Sequence, residues 1–323
     1  MLSFKELAAV FNDYLGGYSY PSEPSGLYKP VEYIMSLGGK RIRPLLCLAS
    51  YNLYHNNVMK AADAAMAVEV FHNFSLVHDD LMDNADIRRG KASVHKKYDD
   101  NTAILSGDVM LIMSYQCFEK YPEKFYELNR LFSKTAIEVC EGQRMDMDFE
   151  NMERPPIDDY IKMISLKTSV LIACALQMGA VIASAPSKDA EHLYEFGKNI
   201  GIAFQVQDDL LDSFGKDAMI GKKVGGDILQ RKKTYLYLKS LDLLSQEQAI
   251  RLKNLYSEQT LSDAEHIHEV KTLFKTAHVD VHAQELKLVY QQLAMSHLDA
   301  VDVEESKKQV LRSFAENLLD RSY

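Results

Sequence analysis

Carboxylates four residues apart on a helix share one face, and this sequence makes that arrangement twice. Asp79, Asp80 and Asp83 lie in Leu76-Val-His-Asp-Asp-Leu-Met-Asp83, and Asp208, Asp209 and Asp212 repeat the spacing in Gln205-Val-Gln-Asp-Asp-Leu-Leu-Asp212. Like charges so placed repel and destabilise an isolated helix. The second cluster is also set among apolar residues (Ile200, Ile202, Phe204, Val206, Leu210, Leu211), where an ionised carboxylate is costly to desolvate. A hard divalent cation with oxygen ligands offsets both costs. One such cluster is as well explained by a solvated acidic turn, but two at the same spacing point to metal. Mg²⁺ typically takes one or two carboxylates and completes its shell with substrate phosphates. Several Mg²⁺ ions around a polyphosphate, held by two clusters facing each other across a bundle, are therefore the expected arrangement.

Basic islands adjoin these clusters although the chain is acidic overall, with 37 Lys+Arg against 46 Asp+Glu and a formal charge of -9. Lys40, Arg41 and Arg43 follow the Gly38-Gly39 turn, where a helix N-terminus with nearby cations forms an anion site. Arg88-Arg89 follows the first acidic cluster, and Gly221-Lys-Lys-Val-Gly-Gly-Asp-Ile-Leu-Gln-Arg-Lys-Lys-Thr234 follows the second. Alone, each island is an ordinary solvated loop. Beside metal-binding carboxylates they imply a diphosphate substrate. The net negative charge disfavours a nucleic-acid partner.

The elements that must position these groups read as helices almost throughout. Periodicity predicts them near 3–15, 28–36, 43–54, 59–84, 99–119, 125–149, 157–184, 189–213, 232–241, 245–257, 262–274, 278–295 and 302–320. Breaks are expected at Gly16-Gly17, Tyr20 through Pro24, Gly38-Gly39, Arg154-Pro155-Pro156, Ala185-Pro186 and Gly215 through Gly226. With 47% hydrophobic residues, 15 Gly and 8 Pro, the chain can bury a large core and has few turns for closing short strands. No composition shift divides it, so one all-α domain over residues 1–323 is expected. Thr168–Ser187 carries no formal charge, but its polar interruptions suit a buried core helix better than a membrane span. Cys47, Cys117, Cys140 and Cys174 show no CxxC spacing, which suits a reducing cytoplasm.

In order along the chain, these segments resemble the all-trans polyprenyl diphosphate synthases, which include farnesyl and geranylgeranyl diphosphate synthases. The likeness is carried by Gly39-Lys40-Arg41-Ile42-Arg43-Pro44, by Glu69 through Asp80 with Arg88-Arg89-Gly90 after it, by Lys167-Thr168, by Phe204-Gln205 with the second acidic cluster, and by Lys222, Asp227 and Lys232. It implies a single large helical bundle of the isoprenoid-synthase type with a central active-site cavity, and a homodimer. It implies that Lys40, Arg43, His72 and Arg89 hold the diphosphate of isopentenyl diphosphate. Arg88, Lys167, Thr168, Gln205, Lys222 and Lys232 would contact an allylic diphosphate. Asp79, Asp83 and Asp208 would ligate Mg²⁺ most directly, with Asp80, Asp209 and Asp212 as further ligands or as partners that hold the ligands in place. Taken alone, His72 would read as a core histidine bonded to backbone.

The implied reaction lets the allylic diphosphate leave, with the double bond of isopentenyl diphosphate attacking the resulting cation in a dry pocket. Product length has a ruler in the sequence. Phe74 lies five residues before Asp79, about 7.5 Å along a helix, and Phe71 three further, about 12 Å away. Ser75 is small, so the two rings form a floor, and the family's rule for such a pattern implies a C15 or C20 product. The competing readings are a longer-chain synthase, a terpene cyclase and a non-catalytic helical partner subunit. The paired clusters and the Lys40/Arg43 island argue against the last two. The C-terminal Asn317-Leu-Leu-Asp-Arg-Ser-Tyr323 lacks the strongly basic tail of certain farnesyl synthases.

Overall fold

The computed structural model describes residues 1–215, 225–257 and 261–319. Helix dominates them, and the strand content is a single pair of two-residue strands, so the all-α expectation holds. By contact the chain separates into two compact units. The first takes Met1–Ser133, Cys174–Tyr194 and Val301–Leu311; the second takes Lys134–Ala173, Glu195–Ala300 and Arg312–Tyr323.

In the first unit, α1 (Phe4–Gly16) starts on a reciprocal cap. Ser3 Oγ accepts from Glu6 N at 3.3 Å, and Glu6 Oε2 accepts from Ser3 N at 2.7 Å. After α2 (Ser25–Ser36) the chain turns at Gly38 and Gly39, whose φ values of 75° and 122° suit glycine, and enters α3 (Ile42–Asn52). The next helix, α4 (Ala62–Met82), carries the first acidic cluster. Its N-terminal half is alanine-rich and buried on nearly every side, so α3 and α6 (Asp100–Gln116) pack close against it. Gly107 of α6 makes room for the His78 ring: a Cβ there would lie 2.2 Å from His78 Nε2.

Between α4 and α6, in residues for which no helix was expected, the structure adds a hairpin. Ile87–Arg88 (β1) pairs antiparallel with Lys91–Ala92 (β2), and α5 (Val94–Lys97) comes next. Arg89 and Gly90 form the two-residue loop with φ of 52° and 76°, both positive as a type I′ hairpin turn requires. Strands this short leave no readable alternation in the sequence.

The second unit is built on α7 (Phe125–Glu150), α8 (Ile157–Ile164), α9 (Val170–Ile182) and α10 (Ser187–Phe214), in their parts that fall within it. Then come α11 (Gly226–Leu229), α12 (Tyr235–Leu243), α13 (Gln246–Ser257), α14 (Asp263–Thr276), α15 (Val279–Asp299) and α16 (Glu305–Leu319). Its core gathers Tyr160, Ile164, Ile202, Val206, Leu210, Leu236, Leu252, Val270 and Phe274. The expected helix over 157–184 is continuous from Ile157 to Ile182, but five residues, Ser165–Ser169, are wound as a π turn joining α8 to α9. The span is long and apolar enough to cross a membrane, yet 78% of its apolar window is buried in the protein, as expected of a core helix. Most of the break expected from Gly215 to Gly226 (216–224) lies outside the described residues; α11 begins at Gly226.

Candidate active site

The first acidic cluster sits at the C-terminal end of α4. Asp80 is buried and bound to Arg88, whose Nε donates to Asp80 Oδ1 at 3.0 Å and Oδ2 at 3.2 Å while Nη2 donates to Oδ1. Burial opposes the Arg88 charge, but the Asp80 hydrogen bond and the charges of Asp80, Asp79 and Asp83 outweigh it and raise the guanidinium pKa. The hairpin is thus tied to the preceding helix. Asp79 is partly buried, and Asp83 is exposed at the helix end. Asp80, expected beside the metal ligands, spends its carboxylate on Arg88.

The hairpin loop places Arg89 over the Gly38-Gly39 turn. Arg89 Nη1 donates to Gly38 O and, at 3.2 Å, to Asn73 Oδ1; a Cβ on Gly39 would lie 3.0 Å from Arg89 Cζ. Beside it, Arg43 Nη1 donates to His72 Nε2 at 3.1 Å. Burial, then the charges of Arg43 and Arg89, hold His72 well below the ordinary imidazole range, so it is neutral and can accept that bond. Arg43 Nε is buried with no hydrogen-bond partner among the described residues. Lys40 is exposed on the same turn. The structure therefore brings Arg43, His72 and Arg89 together as expected, and a buried donor that lacks a partner suits an anion. Arg41 differs: it is buried, bonded to Glu69 and to Met35 O, and Asn73 Nδ2 donates to Glu69 Oε1 at 2.8 Å. Its charge serves the core of the motif.

Phe71 and Phe74 lie on α4 with ring centroids 5.4 Å apart. Phe71 packs edge-on against Phe132 at 5.2 Å, and Phe132 against Phe118 at 5.0 Å and Tyr115 at 5.1 Å. The expected two-ring floor is one side of a five-ring cluster. Sequence spacing missed Tyr115, Phe118 and Phe132 because they come from other elements.

In the second unit the cluster on α10 is embedded in hydroxyl and amide partners. Tyr160 OH and Gln205 Nε2 donate to buried Asp209, the latter at 3.1 Å, and Thr168 Oγ1 donates to Gln205 Oε1 at 3.3 Å. Burial and then the charge of Asp227 push the Asp209 carboxyl well up, against the two hydrogen bonds. Asp212 is raised to about 6, by burial first and Asp227 second. Its carboxylate accepts the Asp227 backbone N–H at 2.9 Å, where α11 begins. Lys232 Nζ lies 3.9 Å from Asp227, and Lys167 Nζ donates to Asp146 Oδ2 at 2.6 Å. Lys167, Thr168, Gln205 and Asp209 thus belong to one neighbourhood, which Asp208 flanks as the adjacent residue along α10. Lys222 lies outside the described residues. Asp227 stands in the motif with Lys222 and Lys232 but was given no role, and Asp146 was missed, since it reads as one of several acids, with Asp148 and Glu150, on a solvated helix end.

Among the described residues, no group of three or more His, Cys, Asp or Glu is preassembled as a metal cage. The donor set nevertheless suits a hard cation: it is carboxylate oxygen throughout, and in the second unit burial and then the charge of Asp227 push two of its members toward protonation.

The sequence model of the polyprenyl synthetase family matches residues 24–275. The chain is 39% identical over 249 residues to a short chain isoprenyl diphosphate synthase of Methanocaldococcus jannaschii, covering 76% of each chain. It is 34% identical over 322 residues to the geranylgeranyl pyrophosphate synthase of Geoglobus acetivorans, covering 99% of this chain and 98% of the other. A crystal structure of a geranylgeranyl pyrophosphate synthase superposes with a TM-score of 0.96 at 46% identity over the whole of both chains. The chain belongs to the polyprenyl synthetase family. It is a short-chain trans-prenyltransferase with the isoprenoid-synthase fold. The family acts on isopentenyl and allylic diphosphates and is generally dependent on a divalent metal.

Proposed function

We propose that this polyprenyl synthetase condenses isopentenyl diphosphate with an allylic diphosphate in a Mg²⁺-dependent step, giving farnesyl or geranylgeranyl diphosphate. The observation that carries the reading is the cationic nest of the first unit, Arg43, neutral His72 and Arg89 with a buried donor lacking a partner among the described residues; the second unit, taken by itself, holds a carboxylate cluster whose buried Asp209 is pushed up by burial and by Asp227. We read the whole chain as one synthase domain, supported by a family match that runs through residues of both units.

Lys40, Arg43, His72 and Arg89 hold the diphosphate of isopentenyl diphosphate. Lys167, Thr168, Gln205, Lys232 and, once drawn off Asp80, Arg88 bind the allylic diphosphate, with Lys222 in the same role. Asp79, Asp83, Asp208 and Asp212 would hold the metal, with Asp80 and Asp209 beside them; bound Mg²⁺ supplies charge stabilisation for the departing diphosphate. The cations of this chain add hydrogen bonds to the same developing charge. Departure leaves an allylic cation, which the double bond of isopentenyl diphosphate attacks; the departed diphosphate then accepts the proton lost from the new cation, which yields a chain five carbons longer. Phe74 and Phe71 meet the tail, and apolar side chains keep water from the cation.

Four free cysteines, three of them buried, favour a reducing compartment and a cytoplasmic enzyme. On α6, Ile104, Leu105 and Ile112 are 42–60% exposed, an apolar face that supports the homodimer expected from the family resemblance. The deciding experiment supplies isopentenyl diphosphate and an allylic primer, with Mg²⁺ or with chelator, and reads released diphosphate and product length. A C15 or C20 product only with metal supports the reading. A product of C30 or more refutes the short floor, and turnover under chelator refutes the metal role.

A further inference from the structure

Lys167 and Thr168 stand on the π turn Ser165–Ser169, where the Val170 N–H donates to Ser165 O, five residues back instead of the usual four. Such a turn holds one extra residue and rotates the downstream helix by about 100° relative to a plain α-helix. Isolated turns of this kind are rare and need something to hold them. Here two neighbouring helices bring their backbones against the turn. A Cβ on Gly142 of α7 would lie 2.3 Å from Lys167 N and 2.7 Å from Leu166 C. A Cβ on Gly201 of α10 would lie 2.7 Å from Ser169 Cβ and 2.8 Å from Ser169 Cα. Neither approach leaves room for any side chain.

Each helix then repeats the same device one turn later. Asp146, four residues after Gly142 and so on the same face of α7, accepts from Lys167 Nζ at 2.6 Å. Gln205, four residues after Gly201 on α10, accepts from Thr168 Oγ1 at 3.3 Å. A glycine admits the backbone of the turn, and an acceptor on the same face fixes the side chain that the turn presents.

We propose that Gly142 and Gly201 are positioning residues that clamp the π turn and thereby set where the Lys167 ammonium and the Thr168 hydroxyl meet the allylic diphosphate. This rests on the reading of Lys167 and Thr168 as allylic contacts. An added methyl would push the turn off its neighbour, and an ångström of misplacement at a reacting centre costs on the order of 10²-fold in rate.

The test compares Gly142→Ala, Gly201→Ala and Lys167→Ala for steady-state kinetics toward each substrate separately, with circular dichroism and melting temperature for each variant. In an ordinary helix interior, Gly→Ala raises stability. The expected result is a folded protein with kcat or allylic kcat/KM reduced by about 10- to 100-fold and an unchanged KM for isopentenyl diphosphate, matching the pattern of Lys167→Ala. Gly201→Ala is the milder variant, since it meets the small Ser169 side chain as well as backbone, and is read alone if Gly142→Ala does not fold. Glycine variants with wild-type allylic kinetics beside an impaired Lys167→Ala would overturn the positioning role alone. Lys167→Ala with wild-type allylic kinetics would overturn the underlying site reading and the proposal with it. Equal losses toward both substrates, or loss of fold in both glycine variants, would make the glycines requirements of the core and also overturn it.

Discussion

The two acidic clusters have the same spacing and opposite surroundings. At the end of α4, Asp80 is answered by a full positive charge, Arg88, delivered by the adjoining hairpin. On α10, Asp209 is answered by a phenol and an amide, and burial first and the charge of Asp227 second push its pKa up. In the first cluster Asp80 has its own cation; in the second, burial and carboxylate repulsion disfavour the ionised form, a cost that a bound cation would relieve. Identical sequence patterns therefore give one cluster whose central carboxylate is already paired and one whose central carboxylate is buried beside another acid. Binding of metal and diphosphate should stabilise the second unit more than the first.

The largest effect that could break this comparison is on turnover. Asp79→Ala or Asp208→Ala should each lower kcat by about 10²–10³-fold or more, because each removes an anchor for transition-state charge stabilisation. Helical content by circular dichroism should be retained. A single variant of near-normal activity would show that its cluster does not serve the reaction.

Next in size is substrate selectivity. Arg43→Ala should weaken isopentenyl diphosphate by roughly 1.5–3 kcal/mol, about 10- to 150-fold in KM, and also lose its bond to His72. Lys167→Ala should instead weaken the allylic substrate by a similar amount. Both variants losing both substrates alike would contradict separate sites.

The comparison is sharpened by a pair of metal-free melting curves. Asp80→Asn leaves Arg88, a quarter exposed, without its counter-charge and should cost about 1–3 kcal/mol. Asp209→Asn removes a buried charge that the partly exposed Asp227 repels while keeping an acceptor for Tyr160, and should be neutral or stabilising. Equal destabilisation by both would erase the distinction drawn between the clusters.

The smallest change expected is in product distribution, without loss of fold. Phe74→Ala should lengthen the product, and adding Phe71→Ala should lengthen it further, as read by chromatography of the dephosphorylated alcohols. Phe71 also braces Phe132, so the double variant should lose about 3 kcal/mol or more of stability. Unchanged length in both would remove the rings from the floor.

The features legible in the sequence were those that repeat or punctuate. The Asp spacing, the Gly38-Gly39 turn and the long helical periodicities all survive in the structure because each is a local rule written several times over. The features that were not legible depend on a single residue. The π turn is one inserted position, which a 3.6-residue period absorbs without trace, and the hairpin rests on one Arg-Gly pair between two-residue strands. Arg41 reads in sequence like Arg43, yet a left-handed φ of 49° aims it inward to Glu69, a distinction only the fold makes. Asp146 shows the same limit: an acid on an exposed-looking helix face becomes part of the site only when α7 meets the π turn.

The proposed function requires carboxylates of both clusters, each in its own unit, for Mg²⁺ to bind with the allylic diphosphate. Calorimetric titration of Mg²⁺ into enzyme holding an unreactive thio-analogue of the allylic diphosphate tests it most directly, in wild type, Asp79→Ala and Asp208→Ala. The account predicts tight, analogue-dependent Mg²⁺ binding in wild type and marked weakening in both variants. Wild-type Mg²⁺ binding in either variant would contradict it.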